Sequence, residues 1–105
     1  MATTLLISSD PTTVSSDTVL ITIQQLVDSQ ALTQIFFIGS GLKHAQHNAT
    51  SALLNILKSK HQIPIGYCPS SAARHIPDYT SNLLEDYGLT QFYALLHEST
   101  QLEQL

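Results

Sequence analysis

Gln34–Gly39 reads QIFFIG, an aromatic and β-branched run without polar alternation that Gly39-Ser40-Gly41 ends abruptly. A strand with one wet face alternates apolar and polar residues. A run that does not alternate is covered on both faces, as in parallel sheets flanked by helices. Upstream, Thr3–Ser8 (TTLLIS) is a second short apolar run, stopped by Ser8-Ser9-Asp10-Pro11, whose Asp-Pro pair starts a turn. Between the two runs, Val19, Leu20, Ile23, Leu26 and Val27 recur at helical spacing from Ser16 to about Ser29, and Ser15, Ser16 or Asp17 can cap the first turn.

Downstream the alternation continues. Ala45, Ala49, Ala52, Leu53, Ile56 and Leu57 form the inward stripe of a second helix that finishes with Lys58 and Lys60, cations that suit a helix C-terminus. Ile63–Cys68 (IPIGYC) reads as a third strand, with Pro64 at its entrance where a missing donor is tolerated. Pro69 then opens one or two helical turns through His75. Asp78 caps a further helix with Leu83, Leu84 and Tyr87 inward and Gly88 at its end. A last helix runs from Thr90 to about Glu98 with Phe92, Leu95 and Leu96 packed, and Gln101–Leu105 is either a short edge strand or a fraying tail. Strands alternating with helices of this length, joined by right-handed crossovers, predict a small doubly wound, flavodoxin-like α/β domain spanning residues 1–105, its sheet mostly parallel with helices on both faces.

The composition bounds what such a domain does. Of 105 residues 43% are apolar and 11% charged, enough to fill one core and too few charges for a disordered chain. The formal charge is −4, and Lys43, Lys58, Lys60 and Arg74 are the only permanent cations, so no basic stripe exists to neutralise a phosphate backbone. A surface poor in ions favours an oligomer, because a neighbouring subunit can cover it without stripping water from charges. Met1–Ser9 lacks the basic start and long apolar core of a signal peptide, and no run approaches a membrane span, which places the expected site of action in the cytoplasm. One cysteine makes neither an internal disulfide nor a cysteine-rich zinc site.

That cysteine, Cys68, falls where the third strand turns into the Pro69 helix. Reactive groups in open α/β sheets gather at the carboxyl ends of strands, where helix N-termini present unpaired N–H groups that favour a thiolate. Arg74 and His75 are close enough in sequence to add positive charge. From the residues alone Cys68 is either a nucleophile or a buried apolar filler. Ser8, Ser9 and Asp10, together with Gly39, Ser40 and Gly41, end the first two strands at the same sheet edge and are candidates to shape a pocket around it, Ser40 above all. The glycine loop is no Walker motif and lacks the three-glycine dinucleotide fingerprint, and oligomer packing or a plain turn explains it as well as nucleotide or small-ligand binding, the alternative from another functional class. His44 and His47 are spaced to share a helix face, but with no third ligand nearby they read as solvated polar residues rather than a metal site. His97, followed by Glu98, suits a helix C-terminus and reads as structural.

Ile35–Asn48 (IFFIGSGLKHAQHN) resembles the second strand and following loop of the DsrE/TusD sulfur-relay family, and Ile63–Asp78 (IPIGYCPSSAARHIPD) is similar to that family's active-site stretch, with Cys68 and Arg74 in register. Gly88–Leu105 resembles the closing pattern, with Ala94–Ser99 as helix and Gln101–Leu105 as final strand. The intervening stretches are shorter than is typical, and Pro69 directly after the cysteine removes an N–H. The resemblance implies a DsrE-like domain that carries a persulfide on Cys68, taking sulfane sulfur from a donor protein and passing it to an acceptor, towards tRNA 2-thiouridine or sulfur oxidation. It also implies sulfurtransferase-type chemistry without metal or organic cofactor, and TusB- and TusC-like subunits or further copies of the chain as partners. A non-catalytic subunit of such an assembly, with Cys68 buried and inert, is the other outcome within the same fold.

Overall fold

The computed structural model describes residues 2–75 and 88–105. Four parallel strands, β1 (Thr3–Ile7), β2 (Leu32–Phe37), β3 (Ile65–Tyr67) and β4 (Gln101–Gln104), form one sheet in the order β3-β2-β1-β4. The chain winds outward from β1 through β2 to β3 and then returns to the far side of β1. The order therefore reverses between β1 and β4, whereas the flavodoxin order reverses between its first and third strands. The expected doubly wound α/β architecture is present, and among the described residues no helix is long and apolar enough to cross a membrane.

Pleating gives the two faces different chemistry. Leu5, Ile7, Ile35, Phe37 and Ile65 project to one side and meet Val19 and Ile23 of α1 (Ser16–Asp28), together with Leu42, Ala45, Leu54 and Leu57, in one buried cluster. On the other side Phe36 stacks against Phe92 of α4 (Gly88–Glu98), ring centroids 4.6 Å apart. Beside that pair the buried Gln34 donates its amide to Thr4 Oγ1 and to the Phe92 carbonyl, both at 3.1 Å. Gln34, Ile35, Phe36 and Phe37 are all fully buried, as a run without alternation requires.

Local chemistry sets most boundaries. Ser15 is the cap of α1, its Oγ accepting from Thr18 N–H at 3.2 Å, and the helix ends where Gln30 turns left-handed at φ 56°. The helix predicted after β2 is not one helix. A 3₁₀ segment, Gly39–Gln46, breaks at His47, whose Nδ1 accepts from Thr50 N–H and starts α2 (Asn48–Ile56); one π turn follows, Leu57–His61. Restarting at His47 rotates the inward face. Thr50 and Leu54 are buried, whereas Ala49, Ala52 and Ile56, expected to point inward, are exposed.

Beyond β3, α3 (Pro69–His75) starts at Pro69 as read, and α4 (Gly88–Glu98) already includes Gly88 and Leu89, ahead of the expected Thr90. The helix capped by Asp78 falls outside the described residues. The closing tail is an edge strand: β4 runs parallel to β1, and the Leu105 carbonyl accepts Ser8 N–H at 2.8 Å and Ser9 N–H at 3.1 Å.

Candidate functional site

Cys68 follows directly on β3, and its backbone N–H donates to the Phe37 carbonyl at 3.2 Å, which fixes it at the carboxyl edge of the sheet beside the end of β2. It is half-buried. It opens on a cleft of about 270 Å³ lined by Ile38, Gly39, Cys68, Ser70, Arg74 and His75. The wall from the end of β2 is apolar; the wall from α3 is polar and cationic. Gly39 turns the chain at φ 59°, in the left-handed region that suits glycine, and so carries the chain around the cleft's rim.

Of the residues singled out in the sequence, the cleft brings together Cys68, Arg74, His75 and Gly39. Ser40 is not among its lining residues, and its hydroxyl points to the Ser8 carbonyl at 3.5 Å. Ser8, Ser9 and Asp10 are engaged elsewhere. Ser8 Oγ donates to the Leu105 carbonyl and accepts from Gln104 Nε2, so the end of β4 occupies the space beyond β1. Asp10 closes its own turn, accepting from Thr12 Oγ1 at 2.6 Å and from the Thr12 and Thr13 amides at 3.0 Å. The Thr12 hydroxyl, then the Thr13 amide, hold its carboxyl down at about 2. Ser70 was not anticipated as a lining residue. The signal was its spacing of four from Arg74, which puts the two on one face of a helix.

The glycine loop has a packing role. A Cβ on Gly41 would run into the Ile7 carbonyl group at the end of β1, so this residue lets the 3₁₀ segment lie directly against the strand. Its N–H is bonded to the Ile38 carbonyl at 3.2 Å.

His44 is fully buried, contrary to its reading as a solvated residue. Its Nε2 lies 2.9 Å from the Ser9 carbonyl and its Nδ1 3.0 Å from Ser16 Oγ. A carbonyl only accepts, so Nε2 carries the proton and Nδ1 of the neutral ring accepts from Ser16. Burial pushes the imidazole below its ordinary value; the Ser9 carbonyl and the charge of Asp10 oppose that shift, and His47 adds to it. His47 is exposed and caps α2 instead of joining His44. Among the described residues no three His, Cys, Asp or Glu side chains are grouped to hold a metal. His97 is exposed in the last turn of α4.

A larger cleft, about 340 Å³, lies between the end of α1 and the starts of β2 and β3, lined by Val27, Asp28, Gln30, Leu32, His61 and Ile63. It is at the amino edge of the sheet, opposite the thiol. The carboxyl-edge cleft is the one that combines a nucleophile with positive charge.

No protein-family model matches the sequence, and no curated protein is similar to it in sequence. In three dimensions the chain is similar to the crystal structure of the ychN protein from E. coli, with a TM-score of 0.75 over 100% of this chain and 99% of that one, at 12% sequence identity. At that identity the likeness shows the fold alone, an α/β domain built on a parallel four-stranded sheet.

Proposed function

We propose that the chain is a thiol-based sulfur carrier in which Cys68 takes a sulfane sulfur from a donor, holds it as a persulfide and yields it to a thiol of an acceptor protein. The observation that carries this reading is the placement of Cys68, half-buried at the carboxyl end of β3 on the wall of a cleft shared with Arg74 and His75. The sequence resemblance to the DsrE/TusD family supports it, and the fold shared with the E. coli ychN protein is in keeping with it.

The chemistry is an exchange of sulfur–sulfur bonds. The Cys68 thiolate attacks the outer sulfur of a donor persulfide, the donor's S–S bond breaks, and its inner sulfur leaves as a thiolate. In the second half an acceptor thiolate attacks the outer sulfur on Cys68, and Cys68 leaves as a thiolate. Each step replaces one S–S bond with another, so neither oxidant nor reductant is consumed. In this scheme both the attacking and the loaded sulfur of Cys68 are anions, and a guanidinium on the same cleft, that of Arg74, favours both.

The resemblance in sequence implies tRNA 2-thiouridine as one destination. With a charge of −4, the chain is suited to hand its sulfur to a protein acceptor rather than to the RNA itself. Assembly with copies of itself or with related subunits belongs to the same proposal. Tyr93 on α4 and Leu102 on β4, 58% and 47% exposed, offer apolar surface for it, and sedimentation equilibrium against the chain mass of 11.5 kDa is the check.

The test is intact mass of wild type and Cys68→Ala after incubation with a cysteine desulfurase and cysteine, before and after reduction. Only wild type is expected to gain a reducible sulfur atom. If neither protein gains sulfur and native Cys68 resists alkylation, the thiol is core and the non-catalytic subunit takes the place of the carrier.

A further inference from the structure

We infer that the donor to Cys68 is a small anion bearing a sulfane sulfur, with thiosulfate the simplest of the class, bound in the cleft itself. This deepens the carrier reading and rests on it, for that reading leaves the donor's chemistry open.

Size is the first argument. Small-molecule sites run from about 300 to 1,000 Å³. At about 270 Å³ the Cys68 cleft is just below that range, a size that suits an anion of a few heavy atoms.

Charge is the second. The molecule as a whole is acidic, with Arg74 one of only four permanent cations, yet Arg74 lines this cleft and no carboxylate is among its described lining residues. Among the described lining residues the sign of charge is opposite to that of the whole molecule. A guanidinium offers a planar fork of donors that matches two oxygens of an oxyanion, and Ser70 and His75 on the same wall add a hydroxyl and a ring N–H. Ile38 and Gly39 opposite them supply no acceptor side chain, so a bound anion has its charged oxygens on one side and the other side free for sulfur.

The step balances without a further reagent. The Cys68 thiolate attacks the outer sulfur of thiosulfate, a new S–S bond forms to Cys68, the S–S bond of thiosulfate breaks, and sulfite leaves with the electron pair. The sulfur arrives as a persulfide anion on Cys68, and total charge is unchanged. Sulfite keeps the three oxygens that held the donor, so product and substrate share the cationic wall.

The experiment loads the full chain with thiosulfate alone, follows intact mass before and after reduction, and measures sulfite in parallel. Wild type is expected to gain a reducible sulfur atom and release an equivalent of sulfite, while Cys68→Ala does neither. Sulfate, an unreactive anion of like charge and shape, is expected to slow the gain in wild type, a readout that needs no variant. Arg74→Gln is expected to lower loading from thiosulfate about tenfold more than it lowers loading from desulfurase and cysteine, the scale of one charged hydrogen bond. Loading from the desulfurase but not from thiosulfate, or thiosulfate loading indifferent to both sulfate and Arg74, overturns the small-anion donor and leaves the carrier standing. Loading from neither source overturns both.

Discussion

At His44 both ring nitrogens are occupied, one by the Ser9 carbonyl and the other by the Ser16 hydroxyl, in a place closed to water. Because burial disfavours the charged ring, the folded state holds its proton less tightly than the unfolded chain, whose histidines titrate near 6.5. Stability from this group is therefore complete above about pH 6.5 and is lost as pH falls below it, with a slope of at most about 1.4 kcal/mol per pH unit. Urea unfolding between pH 8 and pH 5 should show that loss in wild type and a flatter curve in His44→Gln. The sequence put Cys68, Arg74 and His75 near one another because a strand end followed by Pro-initiated helix leaves little freedom over seven residues. It misplaced His44 because helical spacing was assumed for a segment that is 3₁₀. With three residues per turn, Gly41 and His44 stack on one line and Leu42 and Ala45 on the next, and all four are buried.

Among the elements, the 3₁₀ segment and α4 depend on contacts that pattern alone does not reveal. Gly41 touches the backbone at the end of β1, and no side-chain rearrangement relieves a collision there, so Gly41→Ala should cost about 3 kcal/mol, at the upper end for overpacking. A Cβ on Gly39 meets only the Ser8 carbonyl oxygen at 4.0 Å, an ordinary contact, so Gly39→Ala carries just the left-handed backbone cost of about 1–2 kcal/mol and its urea midpoint should fall less. α4 is held to the sheet by Phe92 on Phe36 and by the Gln34 amide. Replacing Gln34 by Leu removes donors from the buried Phe92 carbonyl and Thr4 hydroxyl, a loss of about 1–3 kcal/mol, and hydrogen exchange in α4 should quicken while α1 keeps its protection. Strand two and the Pro69 start of α3 were legible because each rests on a local cause. The inward face of α2 was not, because it is set by the break at His47, a side-chain cap that hydrophobic periodicity does not register.

For the whole molecule, the alternation of strands and helices sufficed to predict a parallel doubly wound sheet, since helix-length connections leave no room for hairpins. The strand order was not legible: the tail Gln101–Gln104 is polar at three of its four positions, and its place is decided by the vacant edge of β1 rather than by its own hydrophobicity. Net charge was legible throughout and yields an outcome of its own. The isolated chain should leave tRNA unretarded in a gel even at low salt, about 50 mM, where phosphate-neutralising proteins bind strongly.

The place of β1 between β2 and β4 has a consequence for synthesis. The ribosome makes β1 first and, of the described strands, β4 last, so one side of Thr3–Leu6 waits for its neighbour until residues 101–105 have emerged. Until then the nascent chain carries an open strand edge, with the Ser8 and Ser9 amides still lacking the Leu105 carbonyl. Such a chain completes its sheet only after translation has passed its final strand, and a ribosome stalled shortly before that point displays a sticky intermediate for a chaperone to shield.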